Sequence, residues 1–184
     1  MKTIVLDRDG VINQDSDDYI KSAEEFVPIA GSIEAIAKLS TAGFRVFIAT
    51  NQSGLARKYF DEDALYEIHH LLCSMVEQLG GIIDGIFYCP HHPDDNCNCR
   101  KPRTGLLEQI ESEFACELAG SYFVGDSLKD IQAALSFGCR PILVRTGKGT
   151  LAESVLESNG VSDVRVYENL SNAIADILEI ERDD

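Results

Sequence analysis

The chain has 184 residues, with 31 Asp and Glu against 16 Lys and Arg, for a formal net charge of −15. That length suits one domain, and 45% hydrophobic residues exclude a disordered acidic tail, because the chain can bury enough apolar surface to offset the cost of ordering it. The acidity excludes a nucleic-acid coat and a basic membrane-surface protein, which need positive potential, but not a small anionic substrate, whose site can carry a local field of opposite sign.

Short β-branched runs alternate with longer helical patterns, which predicts an α/β fold around a mostly parallel sheet. The first strand is expected at Thr3 to Leu6, and Met1 to Asp7 lacks the apolar core of a secretory signal. It ends in Asp7-Arg8-Asp9-Gly10 and opens a long polar stretch, Val11 to Pro28, in which Asp15, Asp17, Asp18 and Tyr19 lie close together. Ile33, Ile36, Ala37 and Leu39 mark a first helix, stopped by Gly43. A second strand, Arg45 to Ala49, runs into Thr50-Asn51-Gln52-Ser53-Gly54. Leu65, Ile68, Leu72, Met75, Val76 and Leu79 give the second helix its apolar stripe. A third strand, Ile82 to Tyr88, leads into an irregular loop, Cys89 to Pro102, and Leu106, Leu107 and Ile110 carry the next helix. Strand four, Tyr122 to Val124, ends in Gly125-Asp126-Ser127, with Asp130 one helical turn later in a helix marked by Leu128, Ile131, Ala134 and Leu135. Strands at Pro141 to Val144 and Val164 to Tyr167 alternate with helices near Leu151 to Leu156 and Leu170 to Ile180. With no repeat, no low-complexity linker and no apolar run long enough to cross a bilayer, a single domain spanning 1–184 is expected, cytoplasmic and monomeric, with neither nucleic acid nor membrane as partner.

Ligands of an open parallel sheet bind beyond the carboxyl ends of its strands, so the polar groups after each strand should converge. Asp7 and Asp9 repel each other unless a cation relieves them, and Asp126 completes an oxygen set of the kind Mg²⁺ prefers. One carboxylate of such a set can attack phosphorus to form an acyl phosphate while another shuttles protons. Taken alone, Asp-x-Asp-Gly is an ordinary acidic turn; three further strand ends carrying matched groups favour catalysis. The Thr50 hydroxyl and the N–H groups after it suit phosphate oxygens, although a helix cap would use the same residues. Lys101 offers a point charge for a transferring phosphoryl group, and Arg100 a planar fork for a second anionic group.

The loop Cys89-x-His91-x₅-Cys97-x-Cys99 supplies three thiols and an imidazole, the donor set of a closed tetrahedral Zn²⁺ site with a structural role. His92 can serve in place of His91, and the spacing does not choose between them. Cys73, Cys116 and Cys139 lie among apolar residues and read as ordinary buried thiols.

In this order, these residues resemble the haloacid-dehalogenase-like (HAD) phosphohydrolases, and more narrowly the families of D-glycero-D-manno-heptose 1,7-bisphosphate 7-phosphatases and histidinol-phosphatases. The likeness runs through Leu6-Asp7-Arg8-Asp9-Gly10-Val11-Ile12-Asn13, Thr50-Asn51-Gln52-Ser53-Gly54, Cys89-Pro90-His91-His92-Pro93, Cys97-Asn98-Cys99-Arg100-Lys101-Pro102 and Val124-Gly125-Asp126. It implies a three-layer Rossmann-like HAD core without a large cap domain, in which a zinc-binding loop, residues 89–102, shapes the site instead. It further implies Asp7 as nucleophile and Asp9 as general acid and base. Mg²⁺ would lie between Asp7, the backbone carbonyl of Asp9 and Asp126, and Zn²⁺ between Cys89, His91, Cys97 and Cys99. Among the catalytic residues Thr50 and Lys101 would steady the phosphoryl group, and Arg100 would help to recognise the rest of a phosphorylated sugar together with Asp15, Asp18, Tyr19, Asn51, Gln52 and Ser53. The implied reaction removes the 7-phosphate of a heptose bisphosphate, on the route to nucleotide-activated heptose and lipopolysaccharide core. A histidinol-phosphatase of histidine biosynthesis is the alternative, and the lack of a fused second catalytic domain disfavours its bifunctional form. A non-catalytic zinc-stabilised interaction module would leave Asp7, Asp9, Thr50, Lys101 and Asp126 without a shared purpose. Ser127 stands where some heptose phosphatases carry Lys.

Nine acids and two bases follow Lys148, which marks a solvated acidic face. Arg8, Arg57, Lys58, Arg100, Lys101, Arg103, Lys129, Arg145 and Lys148 fall close behind strand ends, so a site of positive sign is expected.

Overall fold

The computed structural model describes residues 2–182; Met1, Asp183 and Asp184, at the ends of the expected 1–184 domain, lie outside the described residues. Its strands are β1 (Thr3–Leu6), β2 (Arg45–Asn51), β3 (Gly85–Cys89), β4 (Tyr122–Gly125), β5 (Arg140–Val144) and β6 (Arg165–Tyr167). Between them run α1 (Ser32–Thr41), α2 (Glu62–Gln78), α3 (Gly105–Phe114), α4 (Leu128–Phe137) and α5 (Gly149–Val155), and α6 (Leu170–Ile180) follows β6. The strands form one sheet in the order β3-β2-β1-β4-β5-β6, every neighbouring pair parallel.

Side-chain alternation along the strands gives both faces of the sheet a core, with a smaller cluster of Ile131, Leu143, Ala152, Leu156 and Val161 beside them. Ile4, Leu6, Val46, Ile48 and Val144 pack on one face with Ile36, Leu39, Ile68, Leu72, Ile174 and Ile177 of α1, α2 and α6. Val5, Phe47, Ala49 and Phe123 pack on the other with Leu106, Leu107, Ile110 and Ala134 of α3 and α4. Burial of each Val, Leu, Ile or Phe side chain among them contributes roughly 1.5–3 kcal/mol. Because β1 has β2 on one side and β4 on the other, its carboxyl end opens a crevice. The sheet thereby aims Asp7, Thr50 and Asp126 at one place.

Some boundaries differ from expectation. β2 extends through Thr50 and Asn51, whereas β3 starts only at Gly85. Val46 N–H donates to the Asp84 carboxylate at 2.8 Å and Asp84 N–H to the Val46 carbonyl, also at 2.8 Å, so a side chain opens the ladder there. Ile82, expected in the strand, is exposed. Leu79, Leu135 and Leu151 are likewise exposed, off the apolar stripes of their helices. The stretch Val11 to Pro28, read as polar, sends Val11, Ile12, Ile20 and Phe26 into the core and holds a single 3₁₀ turn at Ala23–Glu25. All six cysteines are free, but only Cys139 of the scattered three is fully buried. Among the described residues no helix is long and apolar enough to cross a membrane.

Candidate active site

At the end of β1 the chain turns through Gly10, whose φ is +82°. A Cβ there would stand 2.0 Å from Asp126 Oδ2, and one on Gly147 would stand 2.1 Å from it. The two glycines let backbone close around the Asp126 carboxylate, which also accepts the Lys148 N–H at 2.8 Å. Carboxylate oxygens of Asp7, Asp126 and Asp130 lie within 4.8 Å of one another.

Lys101 enters this acidic cluster from the cysteine loop. Its Nζ stands 2.8 Å from Asp7 Oδ1 and 2.6 Å from Asp130 Oδ1, and donates to the Ala49 carbonyl at 2.7 Å. Burial works against the ammonium charge, yet Asp130 and Asp7 raise the Lys101 pKa above its ordinary value. Asp130 is itself fixed as the capping box of α4, accepting from the Ser127 hydroxyl at 2.6 Å. Even with Lys101 present, burial pushes the Asp7 carboxyl up to about 7. Burial, then the charges of Asp7 and Asp130, pushes Asp126 up to about 8. Hard oxygen donors that are costly to ionise together form a donor set that fits Mg²⁺.

Asp9 has a different environment. Its carboxylate accepts from Arg8 Nε and Nη2 at 2.9 to 3.1 Å, from Asn13 Nδ2 at 2.9 Å and from Gln52 Nε2 at 2.8 Å. Burial would raise its pKa, but the Arg8 charge and these donors hold it below the ordinary carboxylate value. Gln52 also donates to Thr50 Oγ1 at 2.9 Å, tying the end of β2 to the Asp9 turn.

A cleft of about 710 Å³ opens above these groups. Of the expected site residues it brings together Asp7, Asp9, Asp15, Tyr19, Thr50, Asn51, Gln52, Ser53, Arg100, Lys101 and Asp126. Asp18 is exposed and forms no part of the wall. Arg100 Nη1 is buried without a hydrogen-bond partner, a donor suited to an incoming anion. Asn51 exchanges two hydrogen bonds with the Lys101 backbone, at 3.1 and 3.2 Å, holding the loop against β2. Lys148 Nζ reaches across the cleft to Asp15 at 3.3 Å and Asp17 at 3.5 Å. It supplies a base beside Asp126 although residue 127 is Ser.

The side chains alone do not reverse the sign of the molecule. The cleft wall carries six carboxylates against Arg100, Lys101, Lys129 and Lys148. Arg57 and Lys58 are exposed elsewhere, and Arg145 pairs with Glu153 and Glu168. A divalent cation is what would bring this inventory to balance.

In the loop after β3, Cys89 Sγ lies 3.5 Å from Cys97 Sγ and 3.7 Å from His91 Nδ1. Cys99 Sγ lies 3.2 Å from His91 Nδ1 and 3.6 Å from Cys97 Sγ. These spacings fit the edges of a tetrahedron around Zn²⁺, about 3.7 Å between sulfurs for Zn–S bonds of about 2.3 Å. His92 lies outside the cluster, its Nδ1 accepting the Asp94 N–H at 3.3 Å, and the imidazole that joins the three thiols is that of His91. Burial pushes the Cys99 thiol up to about 12 and raises Cys89. Burial would also raise Cys97, but hydrogen bonds from Cys89 and Cys99 bring it below its ordinary value. Arg103 Nη1 donates to the Cys97 carbonyl at 2.6 Å and secures the loop.

Arg8, Asn13, His69, Asp130 and Lys148 take part although they were not among the expected site residues. Asp130 carried a signal, its four-residue spacing from Asp126 at a helix start. Asn13 closes the same turn, four residues after Asp9, within the stretch Leu6 to Asn13 that carries the resemblance, whereas His69 carried no signal, because it acts through a contact with Arg8, 61 residues away in sequence.

A family model described as HAD-hydrolase-like matches residues 98–173. A D-glycero-beta-D-manno-heptose-1,7-bisphosphate 7-phosphatase of Pseudomonas aeruginosa is 52% identical over 162 residues, covering 87% of this chain and 91% of the relative. The enzyme of that name from Bordetella bronchiseptica is 48% identical over 97% of this chain and 99% of its own. A crystal structure of D,D-heptose 1,7-bisphosphate phosphatase from B. bronchiseptica, complexed with magnesium and phosphate, superposes with a TM-score of 0.91 at 47% identity, covering 97% of this chain and 99% of that one.

Proposed function

The chain belongs to the heptose-1,7-bisphosphate 7-phosphatase family of HAD hydrolases and is a phosphoric monoester hydrolase; on that premise we propose that it removes the 7-phosphate of D-glycero-D-manno-heptose 1,7-bisphosphate through an aspartyl-phosphate on Asp7. The observation that carries this reading is the convergence of Asp7, Asp126 and Lys101 at the carboxyl end of β1.

Asp7 Oδ attacks phosphorus in line with the sugar oxygen, and the P–O bond to that oxygen breaks. Asp9 donates a proton to the leaving oxygen and later takes one from the water that attacks the acyl phosphate, which regenerates Asp7 and releases inorganic phosphate. In the free protein, against the effect of burial, the Arg8 charge and the other donors hold the Asp9 pKa below its ordinary value. The approaching phosphate dianion raises its proton affinity by like-charge repulsion, so that Asp9 takes from solvent the proton it delivers to the leaving oxygen. Lys101 turns from Asp7 toward the phosphoryl oxygens, joined by the Thr50 hydroxyl. Arg100, with an unpaired buried nitrogen, contributes there and to the rest of the substrate, which Asp15, Tyr19, Asn51, Gln52 and Ser53 of the cleft wall help to recognise. Mg²⁺ would be held by Asp7, Asp126 and the Asp9 carbonyl, where it would offset their charge and polarise the phosphoryl oxygens.

Zn²⁺ would be held by Cys89, His91, Cys97 and Cys99 in a structural site. Six free thiols suit a reducing compartment, the cytoplasm, and the chain is read there as a single-domain monomer. Its product, a heptose 1-phosphate, suits the route to nucleotide-activated heptose and lipopolysaccharide core. Phosphate release from heptose 1,7-bisphosphate, heptose 7-phosphate and histidinol phosphate tests the substrate: kcat/KM is expected to rank the bisphosphate first. Preference for histidinol phosphate would replace this reading with the histidine-pathway one.

A further inference from the structure

Arg8 is the largest fully buried side chain in the protein. It forms no part of the cleft wall, so it does not touch a bound phosphoryl group directly. A guanidinium taken wholly out of water is tolerated only when its donors are used. Nε and Nη2 form a fork on the Asp9 carboxylate, and Nη1 lies 3.1 Å from His69 Nε2. Arg keeps its protons, so His69 Nε2 must be the acceptor, which requires a neutral ring with its proton on Nδ1. Burial, with the Arg8 charge second, pushes the His69 pKa down to about 3, in keeping with that tautomer. The imidazole sits on α2 between the buried Ile68 and Leu72, its ring centroid 6.0 Å from that of Tyr88. The ring is thus placed against Arg8 by α2 and flanked by Tyr88 of β3.

We propose that Arg8 and His69 form a positioning pair for proton transfer: His69 fixes the third nitrogen of Arg8, and the Arg8 fork fixes the rotation of the Asp9 carboxyl toward the leaving oxygen. Without the His69 acceptor, Arg8 Nη1 would be buried and unsatisfied, and the guanidinium would turn to find another partner. Asn13 and Gln52 would still hold Asp9, but one contact on each oxygen does not fix its plane as a fork does. The pair acts only through Asp9, so the inference rests on the reading of Asp9 as general acid.

The test separates proton transfer from structural damage by leaving group. A sugar alkoxide needs a proton as it departs, whereas p-nitrophenolate does not. His69→Phe keeps ring volume and packing against Tyr88 but loses the acceptor; His69→Gln keeps an acceptor. For His69→Phe, kcat/KM toward heptose 1,7-bisphosphate is expected to fall about tenfold, part of the 10²–10⁴ that a general acid supplies, with p-nitrophenyl phosphate within twofold of wild type. His69→Gln should recover most of the loss, and His69→Phe should cost nothing further in an Asp9→Asn background. Equal losses on both substrates, or no loss on either, would overturn the inference, and a thermal melt of each variant tells unfolding from a local defect. An Asp9→Asn enzyme that retained its sugar-phosphatase activity would instead remove the general-acid reading on which the inference stands.

Discussion

The Nζ of Lys101 stands 2.8 Å from Oδ1 of Asp7, although one residue leaves the first strand and the other leaves a cysteine loop. In this arrangement the lysine neutralises the proposed nucleophile and shields it, and an entering phosphate must draw the lysine away.

Asp7→Asn is expected to abolish turnover while the thermal melt stays within a few degrees of wild type, because the amide keeps the shape but cannot form the acyl phosphate. Lys101→Met removes a buried cation from between Asp7 and Asp130, and should lower kcat by about 10²–10³. It should also destabilise the metal-free protein by about 3–5 kcal/mol, the cost of breaking a buried pair, with part regained on adding Mg²⁺. Substantial turnover by Asp7→Asn would refute the nucleophile assignment.

Folded-state values of about 7 for Asp7 and about 8 for Asp126 lie above the unfolded value of 3.8. For raised carboxyls, the full stability is present below the unfolded value and is lost as pH rises through the folded ones. The metal-free protein should therefore lose stability between about pH 4 and pH 8 from these two groups, and Mg²⁺ should raise the melting temperature more at pH 8 than at pH 5. Calorimetry near pH 6.5, in two buffers of different ionisation enthalpy, should detect proton release on Mg²⁺ binding. Proton uptake there would contradict the cluster as the cation site.

The cysteine loop yields a choice between neighbours. His91→Asn should lose zinc, while His92→Asn should keep about one zinc per chain and lose only the cap on the Asp94 N–H. Elemental analysis reads this directly. Because Cys99 lies two residues before Lys101, His91→Asn should also raise KM for the sugar phosphate by loosening that lysine. Zinc retained in His91→Asn and lost in His92→Asn would reverse the assignment.

Features that depend on neighbours in sequence were legible in advance. Asp7, Asp9, Thr50 and Asp126 each follow an apolar run, and parallel topology carries strand ends to one edge. The cysteine spacing announced its donor set but not the choice of His91, which depends on which imidazole the turn at Pro93 directs inward and which it uses as a cap. Illegible parts depend on contacts between distant segments. His69 sits on an otherwise conventional amphipathic helix, and only the buried Arg8 beneath it gives its nitrogen a purpose. The start of β3 was misread because the Asp84 carboxylate takes a hydrogen bond that backbone would otherwise make. The bases behind the strand ends do not set the sign of the site by themselves, because Asp17 and Asp130 join the wall beside the expected aspartates and offset them.

Gly10 and Gly43 form a controlled pair, since φ is +82° at one and +88° at the other. Alanine in that region costs about 1–2 kcal/mol at either site. A Cβ on Gly43 meets nothing within 4 Å, so Gly43→Ala should lose only that stability and keep its kcat and Mg²⁺ affinity. At Gly10 the same atom would stand 2.0 Å from Asp126 Oδ2, forcing the carboxylate out of its place between the two loops. Gly10→Ala should thus match or exceed the stability loss and, in addition, weaken Mg²⁺ binding and lower kcat by at least tenfold, roughly the consequence of a ligand displaced by about 1 Å. Urea melts and Mg²⁺ titrations of the two variants isolate the difference. If both lose stability alike and both keep their Mg²⁺ affinity, Asp126 is not a ligand, and the close packing of Gly10 serves only the turn.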